Sequence, residues 1–281
     1  MLMPDKYQPI GVFDSGYGGL TVFRELIDQL PQYDYIYLGD NARNPYGTRS
    51  FEVVYEYTWQ AVNHLFERGC RLVVLACNTA SAKALRNIQQ IDLPRTSYPD
   101  RRVLGVIRPS VEMIPGLTKT GHVGVLGTRG TVLSESYPME IAKISPDSPL
   151  TVVQEACPMW VPIVENNAIE SPGAALFIEE NLKNLFAKDP LIDTIILGCT
   201  HYPLLLDIIN RFLPPGVVLL SQGHVVATKL EDYLFRHPEI EMQCSKSGRR
   251  DYLTTESAGN FDQLAKIFLG EEVRSQHVKL G

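Results

Sequence analysis

With 281 residues, 44% hydrophobic and 21% charged, the chain has the composition of a soluble globular protein and enough core for one large or two medium domains. A formal net charge of −6 argues against nucleic acid as the main partner. No apolar run is long enough for a membrane span, Met1-Leu-Met-Pro-Asp-Lys6 does not read as a secretory signal, and five cysteines without CxxC spacing set aside a disulfide framework or structural zinc and fit a reducing cytosol.

In chain order, Pro9 to Phe13 reads as a strand, followed by Asp14-Ser15-Gly16-Tyr17-Gly18-Gly19 and an amphipathic segment from Leu20 to Leu30. A glycine-rich turn between strand and helix lets backbone N–H groups approach an anion. The spacing is not GxGxxG and no P-loop Lys-Ser/Thr follows, so it carries no nucleotide signature. Asp14 has two readings: a helix N-cap, which is the first choice when it is taken alone, or a carboxylate that orients an ammonium group or assists a base. Tyr35 to Leu38 is a second strand, running into a long polar loop from Gly39 to Arg49. Loops of this length at a strand end often carry function. Here the Tyr46 hydroxyl and Gly47 N–H could meet a carboxylate, or Pro45-Tyr46-Gly47 could be a plain turn. Phe51 to Arg68 has helical spacing, with Val54, Tyr57, Ala61, Leu65 and Phe66 on one face.

Leu72-Val-Val-Leu-Ala is a continuous apolar run that stops at Cys77-Asn78-Thr79 and enters an Ala-rich, helix-forming segment. Such runs read as buried, parallel-type strands. Asp92 to Arg102 reads as a connection, Val103 to Ile107 as a strand, and Arg108-Pro-Ser as the start of a short helix to about Leu117, where the chain is expected to cross into a second domain. His122 to Leu126 is a strand opening through Gly127-Thr128-Arg129-Gly130-Thr131 into a helix. Leu150 to Val153 is another strand, Val161 to Glu165 is short and apolar with an acidic end, and Ser171-Pro172 caps a helix through Leu185. Thr194-Ile-Ile-Leu-Gly then repeats the first pattern, stopping at Cys199-Thr200-His201. Pro203 fits the first turn of the helix that follows. Leu213-Pro-Pro-Gly216 reads as the second crossing. Beyond it come a strand at Val217–Leu220, a helix at 223–235, an edge strand at 251–255, a helix at 261–269 and a frayed tail.

Alternating strands and helices mean an α/β protein with parallel sheets. Each half carries a strand–Cys–polar–helix unit, and Val12-Phe-Asp-Ser-Gly is loosely echoed by Val125-Leu-Gly-Thr-Arg. The expectation is two similar doubly wound domains facing across a central cleft, residues 1–104 with 215–281 and residues 105–214. Each cysteine would lie at the carboxyl end of a strand, where open α/β sheets bind ligands and where a helix N-terminus favours a thiolate. One such cysteine is as readily a buried, inert residue; two in the same context point to function.

Two opposed thiols with carboxylates and His201 nearby, and no cofactor motif, suggest removal of a proton from one face of a carbon and its return to the other. The α-proton of an amino acid is a very weak acid, and a thiolate is a soft base whose strength its surroundings can tune. Asp14 and His201 would poise the thiols. Main-chain N–H groups with the Thr79 and Thr200 hydroxyls would hold the substrate carboxylate as charge moves onto it.

These residues resemble one family. Gly11-Val-Phe-Asp14-Ser15-Gly16-Tyr-Gly-Gly, Leu38-Gly-Asp40 through Asn44-Pro45-Tyr46-Gly47, Ala76-Cys77-Asn78-Thr79-Ala80 and Leu197-Gly-Cys199-Thr200-His201-Tyr-Pro together are similar to the glutamate racemases. Val123-Gly-Val-Leu-Gly-Thr128 with Ser136-Tyr137, and Cys157-Pro158 with Glu165, look like that family's second domain. The likeness runs from about Ile10 to Leu269. It implies a cofactor-independent enzyme that supplies D-glutamate for peptidoglycan, usually as a homodimer; the lack of clustered metal-ligand spacing adds the expectation of no metal, and the cysteine usage that of a cytoplasmic setting. It implies Cys77 and Cys199 as the acid/base pair, assisted by Asp14, Glu165 and His201. Ser15, Pro45, Tyr46, Gly47, Asn78, Thr79 and Thr200 would bind substrate, with Asp14 and His201 beside them. An aspartate racemase or another two-cysteine proton-transfer enzyme of the same superfamily, or a non-catalytic amino-acid-binding protein using the same cleft, is the alternative. One departure stands out: an Ile-Asp-Ser-like triplet is expected after the Val217 strand, and this chain has Leu220-Ser221-Gln222, which bears on helix capping or on the hinge between domains.

Overall fold

The computed structural model describes residues 8–281; the Met1–Lys6 stretch lies outside the described residues. Those residues form two sheets. In the first, β1 (Ile10–Asp14), β2 (Tyr35–Gly39), β3 (Leu72–Leu75), β4 (Arg102–Gly105), β9 (Arg250–Thr254) and β10 (Ser275–His277) run in the order β10-β9-β2-β1-β3-β4. In the second, β5 (His122–Gly127), β6 (Thr151–Ala156), β7 (Thr194–Gly198) and β8 (Val218–Leu220) run in the order β6-β5-β7-β8. Every ladder is parallel, so the α/β expectation with two parallel sheets holds.

The apolar runs explain the central strands. All residues of β1, β2, β3 and β7 are buried, as strands covered by helices on both faces must be. Strand order reverses about β1 in the first sheet and about β5 in the second. Each sheet thus has a switch point, where loops part and leave a crevice beyond the strand ends. Asp14 and Cys77 end or follow β1 and β3. Thr128 and Cys199 follow β5 and β7. One apolar cluster runs through both units, from Phe23, Tyr37 and Leu230 to Leu126, Trp160 and Leu197. Trp160 packs on Tyr202 with ring centroids 4.7 Å apart.

Several local expectations change. The Val218–Leu220 strand pairs with β7, register Thr194↔Val218. A crossing at Leu213–Gly216 had placed it in the first unit; the chain instead completes the second sheet before returning. The tail is not frayed: Ser275–His277 pairs with β9, so β9 is an interior strand rather than an edge. Val161–Glu165 belongs to a helix, Trp160–Glu165, because Trp160, Ile163 and Val164 are buried at i, i+3 and i+4. The segment after His201 starts as a 3-10 turn, Tyr202–Leu205, before the helix Leu206–Phe212.

Candidate functional site

Both cysteines line one cavity of about 110 Å³ between the strand ends of the two sheets. Ser15, Asn44, Pro45, Tyr46, Gly47, Asn78, Thr79, Thr200 and His201 line it with them, while Asp14 and Glu165 stand behind that lining. A larger cavity, about 770 Å³, opens elsewhere among helices bearing Lys83, Arg86, Arg108 and Lys229 and contains neither thiol. The smaller one brings the two strand-end thiols together.

Cys77 is the N-cap of α3 (Asn78–Lys83); its Sγ accepts from the Ala80 N–H at 3.4 Å and lies 3.4 Å from the Ser15 hydroxyl. The helix-terminus argument predicted an acidified thiol. Burial and the Asp14 charge instead push Cys77 up to about 12, against the lowering effect of the Ser15 and Ala80 hydrogen bonds. A six-residue helix offers too little field to offset full desolvation.

Asp14 is not a helix cap. The cap of α1 (Leu20–Gln29) is Gly19, with no side-chain hydrogen bond. Asp14 Oδ1 accepts from the Gly16 N–H at 2.9 Å, and Oδ2 is buried with no partner. Burial raises its carboxyl above the ordinary range, against the His201 charge and the Gly19 and Gly16 N–H groups. Gly19 is required here: a Cβ would sit 2.4 Å from that of Asp14.

In the second half, Cys199 Sγ lies 3.8 Å from His201 Nδ1, and His201 Nε2 lies 2.9 Å from Glu165 Oε1. Burial disfavours the imidazolium, but the hydrogen bonds and charges of Cys199 and Glu165 outweigh it and raise His201 to about 10. These partners favour the charged imidazolium beside the Cys199 sulfur. Phe268 meets its ring edge-on at 5.7 Å. Gly18 lets the two halves come this close, since a Cβ there would be 2.4 Å from both His201 Nδ1 and Thr200 Oγ1.

The expected binding residues divide. Thr79 Oγ1 lies 2.9 Å from Thr128 Oγ1 and 3.3 Å from Thr131 Oγ1, a hydroxyl cluster spanning the two units. Thr200 is buried, and its carbonyl accepts from Thr21 Oγ1 at 2.9 Å. The Tyr46 hydroxyl, one candidate to meet a substrate carboxylate, donates to Asp40 Oδ2. Asp40 also accepts from Arg43 and Thr255, at 2.7 and 2.8 Å, and so anchors the loop. The Asn78 amide is engaged by Gln222 and Tyr137. Asn44 was not singled out by sequence reasoning: its Nδ2 lies 2.9 and 3.0 Å from the two oxygens of Glu165, across the cleft. Its signals were membership of the long polar loop and of the Asn44-Pro45-Tyr46-Gly47 stretch. Among the described residues no group of three or more His, Cys, Asp or Glu side chains is arranged to hold a metal ion, and no helix is long and apolar enough to cross a membrane.

Residues 10–230 match the Asp/Glu/hydantoin racemase family. A glutamate racemase of Streptococcus gordonii is 40% identical over 275 residues, 97% of this chain and 99% of that protein. Among solved structures, a glutamate racemase isoform from Bacillus anthracis has a TM-score of 0.87 at 36% identity, covering 98% of this chain and 99% of that one. The glutamate racemase of Francisella tularensis in complex with D-glutamate has a TM-score of 0.84 at 31% identity, covering 97% and 98%.

Proposed function

The chain belongs to the Asp/Glu/hydantoin racemase family, and from that footing we propose that it interconverts L- and D-glutamate by proton transfer between Cys77 and Cys199 without a cofactor. The observation that carries this reading is the lining of one cavity by two buried strand-end thiols, one from each sheet. Simple binding of an amino acid needs no such pair.

The two halves differ in charge, and that sets their roles. Cys199 and Glu165 favour the His201 imidazolium beside the Cys199 sulfur, whereas burial and the Asp14 charge favour the Cys77 thiol. In this form the Cys199 sulfur takes the α-proton and the Cys77 thiol returns one to the opposite face. Family likeness assigns Cys199 to L-glutamate and Cys77 to D-glutamate. Each transfer leaves the electron pair on the α-carbon, delocalised into the substrate carboxylate. The Thr79 and Thr200 hydroxyls and nearby main-chain N–H groups are fixed donors for that charge. Glu165 serves Cys199 through His201, and Asp14 serves Cys77, whose thiol its charge helps to raise.

Two domains meeting at this cavity complete the reading, with the return crossing placed after β8. The enzyme would work as a cytoplasmic homodimer, supplying D-glutamate for peptidoglycan. Incubation with L-glutamate and with L-aspartate separately, without added cofactor, followed by optical rotation, tests the proposal. Rotation should decay to zero with glutamate alone. Decay with aspartate instead assigns the alternative substrate. Loss of activity after exhaustive chelation, or a pyridoxal absorption band in active protein, defeats the cofactor-free mechanism.

A further inference from the structure

Behind Cys77 lies a closed, buried ring of three side chains from distant parts of the chain. Asn78 Nδ2 donates to Gln222 Oε1 at 2.6 Å, Gln222 Nε2 donates to the Tyr137 hydroxyl at 2.9 Å, and that hydroxyl donates to Asn78 Oδ1 at 2.7 Å. Each group donates to the next, so the direction of every bond depends on the other two. Asn78, Tyr137 and Gln222 are at most 3% exposed. Gln222 Nε2 also lies 2.7 Å from Ser110 Oγ and 3.2 Å from the Val106 carbonyl. The ring therefore joins α3, the helix Ser136–Ile144 and the first residue of the helix Gln222–Arg236.

This is where the Leu220-Ser221-Gln222 departure leads. Ser221 is the N-cap of its helix yet makes no side-chain cap bond, and the neighbouring Gln222 turns inward to the ring. Asn78 directly follows Cys77 and is the first residue of the helix that Cys77 caps. The ring holds that first turn from behind and uses one of the two Asn78 amide hydrogens, leaving the second.

We propose that Gln222 is a positioning residue for the Cys77 half of the site: its amide orders the ring that fixes Asn78 and keys the first turn of α3 to the second unit. This role rests on the racemase reading above. The position needs one acceptor and one two-hydrogen donor on a side chain of this length, which only glutamine provides. Protonated glutamic acid keeps one donor and one acceptor. An ionised carboxylate accepts from both Asn78 and Tyr137, so Tyr137 can no longer donate to Asn78 and the ring breaks.

The test compares Gln222→Glu and Gln222→Met with the wild type, by kcat and KM for both glutamate enantiomers from pH 6 to pH 8.5, with circular dichroism and thermal melts as folding controls. Burial raises the introduced carboxyl. Gln222→Glu should therefore lose about tenfold or more in kcat as pH rises, beyond any change in the wild type, while Gln222→Met stays about tenfold or more below wild type throughout. A Gln222→Glu profile parallel to that of the wild type or to that of Gln222→Met overturns the proposal, as does a Gln222→Met enzyme within about twofold of wild type. Should Gln222→Met fail to fold, the Gln222→Glu profile decides alone. A wild-type protein that racemises neither enantiomer defeats the functional reading itself, an outcome separate from normal wild-type activity with unaffected variants.

Discussion

A serine hydroxyl nearly matches a thiol in size but is a far weaker acid, so Cys77→Ser and Cys199→Ser separate proton transfer from packing. Both variants should fold, bind glutamate and lose racemisation by about 10²–10⁴-fold. In heavy water, residual α-proton exchange should favour L-glutamate in Cys77→Ser and D-glutamate in Cys199→Ser. If the cysteines only pack, the variants lose thermal stability with no preference between enantiomers. A variant racemising near the wild-type rate refutes the two-thiol mechanism. Asp14→Asn and His201→Asn probe the supports of each thiol. Enantiomers have equal free energy, so kcat/KM must stay equal in the two directions for every variant. The effect therefore divides between kcat and KM: Asp14→Asn should lower kcat more from D-glutamate, and His201→Asn more from L-glutamate. Equal losses of kcat in both directions would remove the assignment of Asp14 to Cys77 and His201 to Cys199.

At the level of elements, the loops entering the second sheet depend on one carboxylate. Asp193, just before β7, accepts from Thr118 Oγ1 at 2.6 Å and from the N–H groups of Lys119 and Thr120 at 2.6 and 2.8 Å. Partial burial works against ionisation, but these bonds outweigh it and lower Asp193 from 3.8 to about 2. A depressed folded-state pKa contributes stability that is present above the unfolded value and lost as pH falls through the folded one. Asp193→Asn should therefore cost about 1–2 kcal/mol at pH 7. The gap to wild type should narrow as pH falls from about 4 towards 2, read by urea denaturation at several pH values. A gap that stays constant with pH would mean that neutral contacts, not the charge, hold the turn. The same element scale explains the Cys77 result: a strand-end thiol on a short helix takes its acidity from burial and the neighbouring carboxylate rather than from the helix dipole.

For the whole molecule, the cleft is closed by bonds that cross it: Asn44 to Glu165, Thr79 to Thr128, and the Gln222 ring. A ligand seated there touches both units. L- or D-glutamate at a hundredfold over Kd should add about 2.7 kcal/mol to the unfolding free energy, seen as an upward shift of the melting transition. Aspartate at the same concentration should shift it less, and an equal shift would count against glutamate as the preferred substrate.

The apolar runs of β1, β3 and β7 already declared buried parallel strands, and the breaks at Cys77 and Cys199 placed both thiols at strand ends. That much is local information, because a strand covered on both faces must be continuously apolar. Short segments carry less of it. Nothing local distinguishes an interior β9 from an edge, because its neighbour β10 is three residues long and arrives after a helix. Val161–Glu165 could not be told from a strand until Trp160, Ile163 and Val164 met the core. The electrostatics of the site were less legible still. Whether Asp14 caps a helix or stands behind Cys77, whether Tyr46 faces a ligand or Asp40, and which partner Asn44 or Gln222 finds, all depend on contacts between residues far apart in the chain. The sequence by itself determined the sheet-forming runs and the chemical types at the strand ends. Burial, which raises the Cys77 thiol, and the cross-cleft partners, among them the Glu165 that raises His201, exist only once the two sheets have packed against each other.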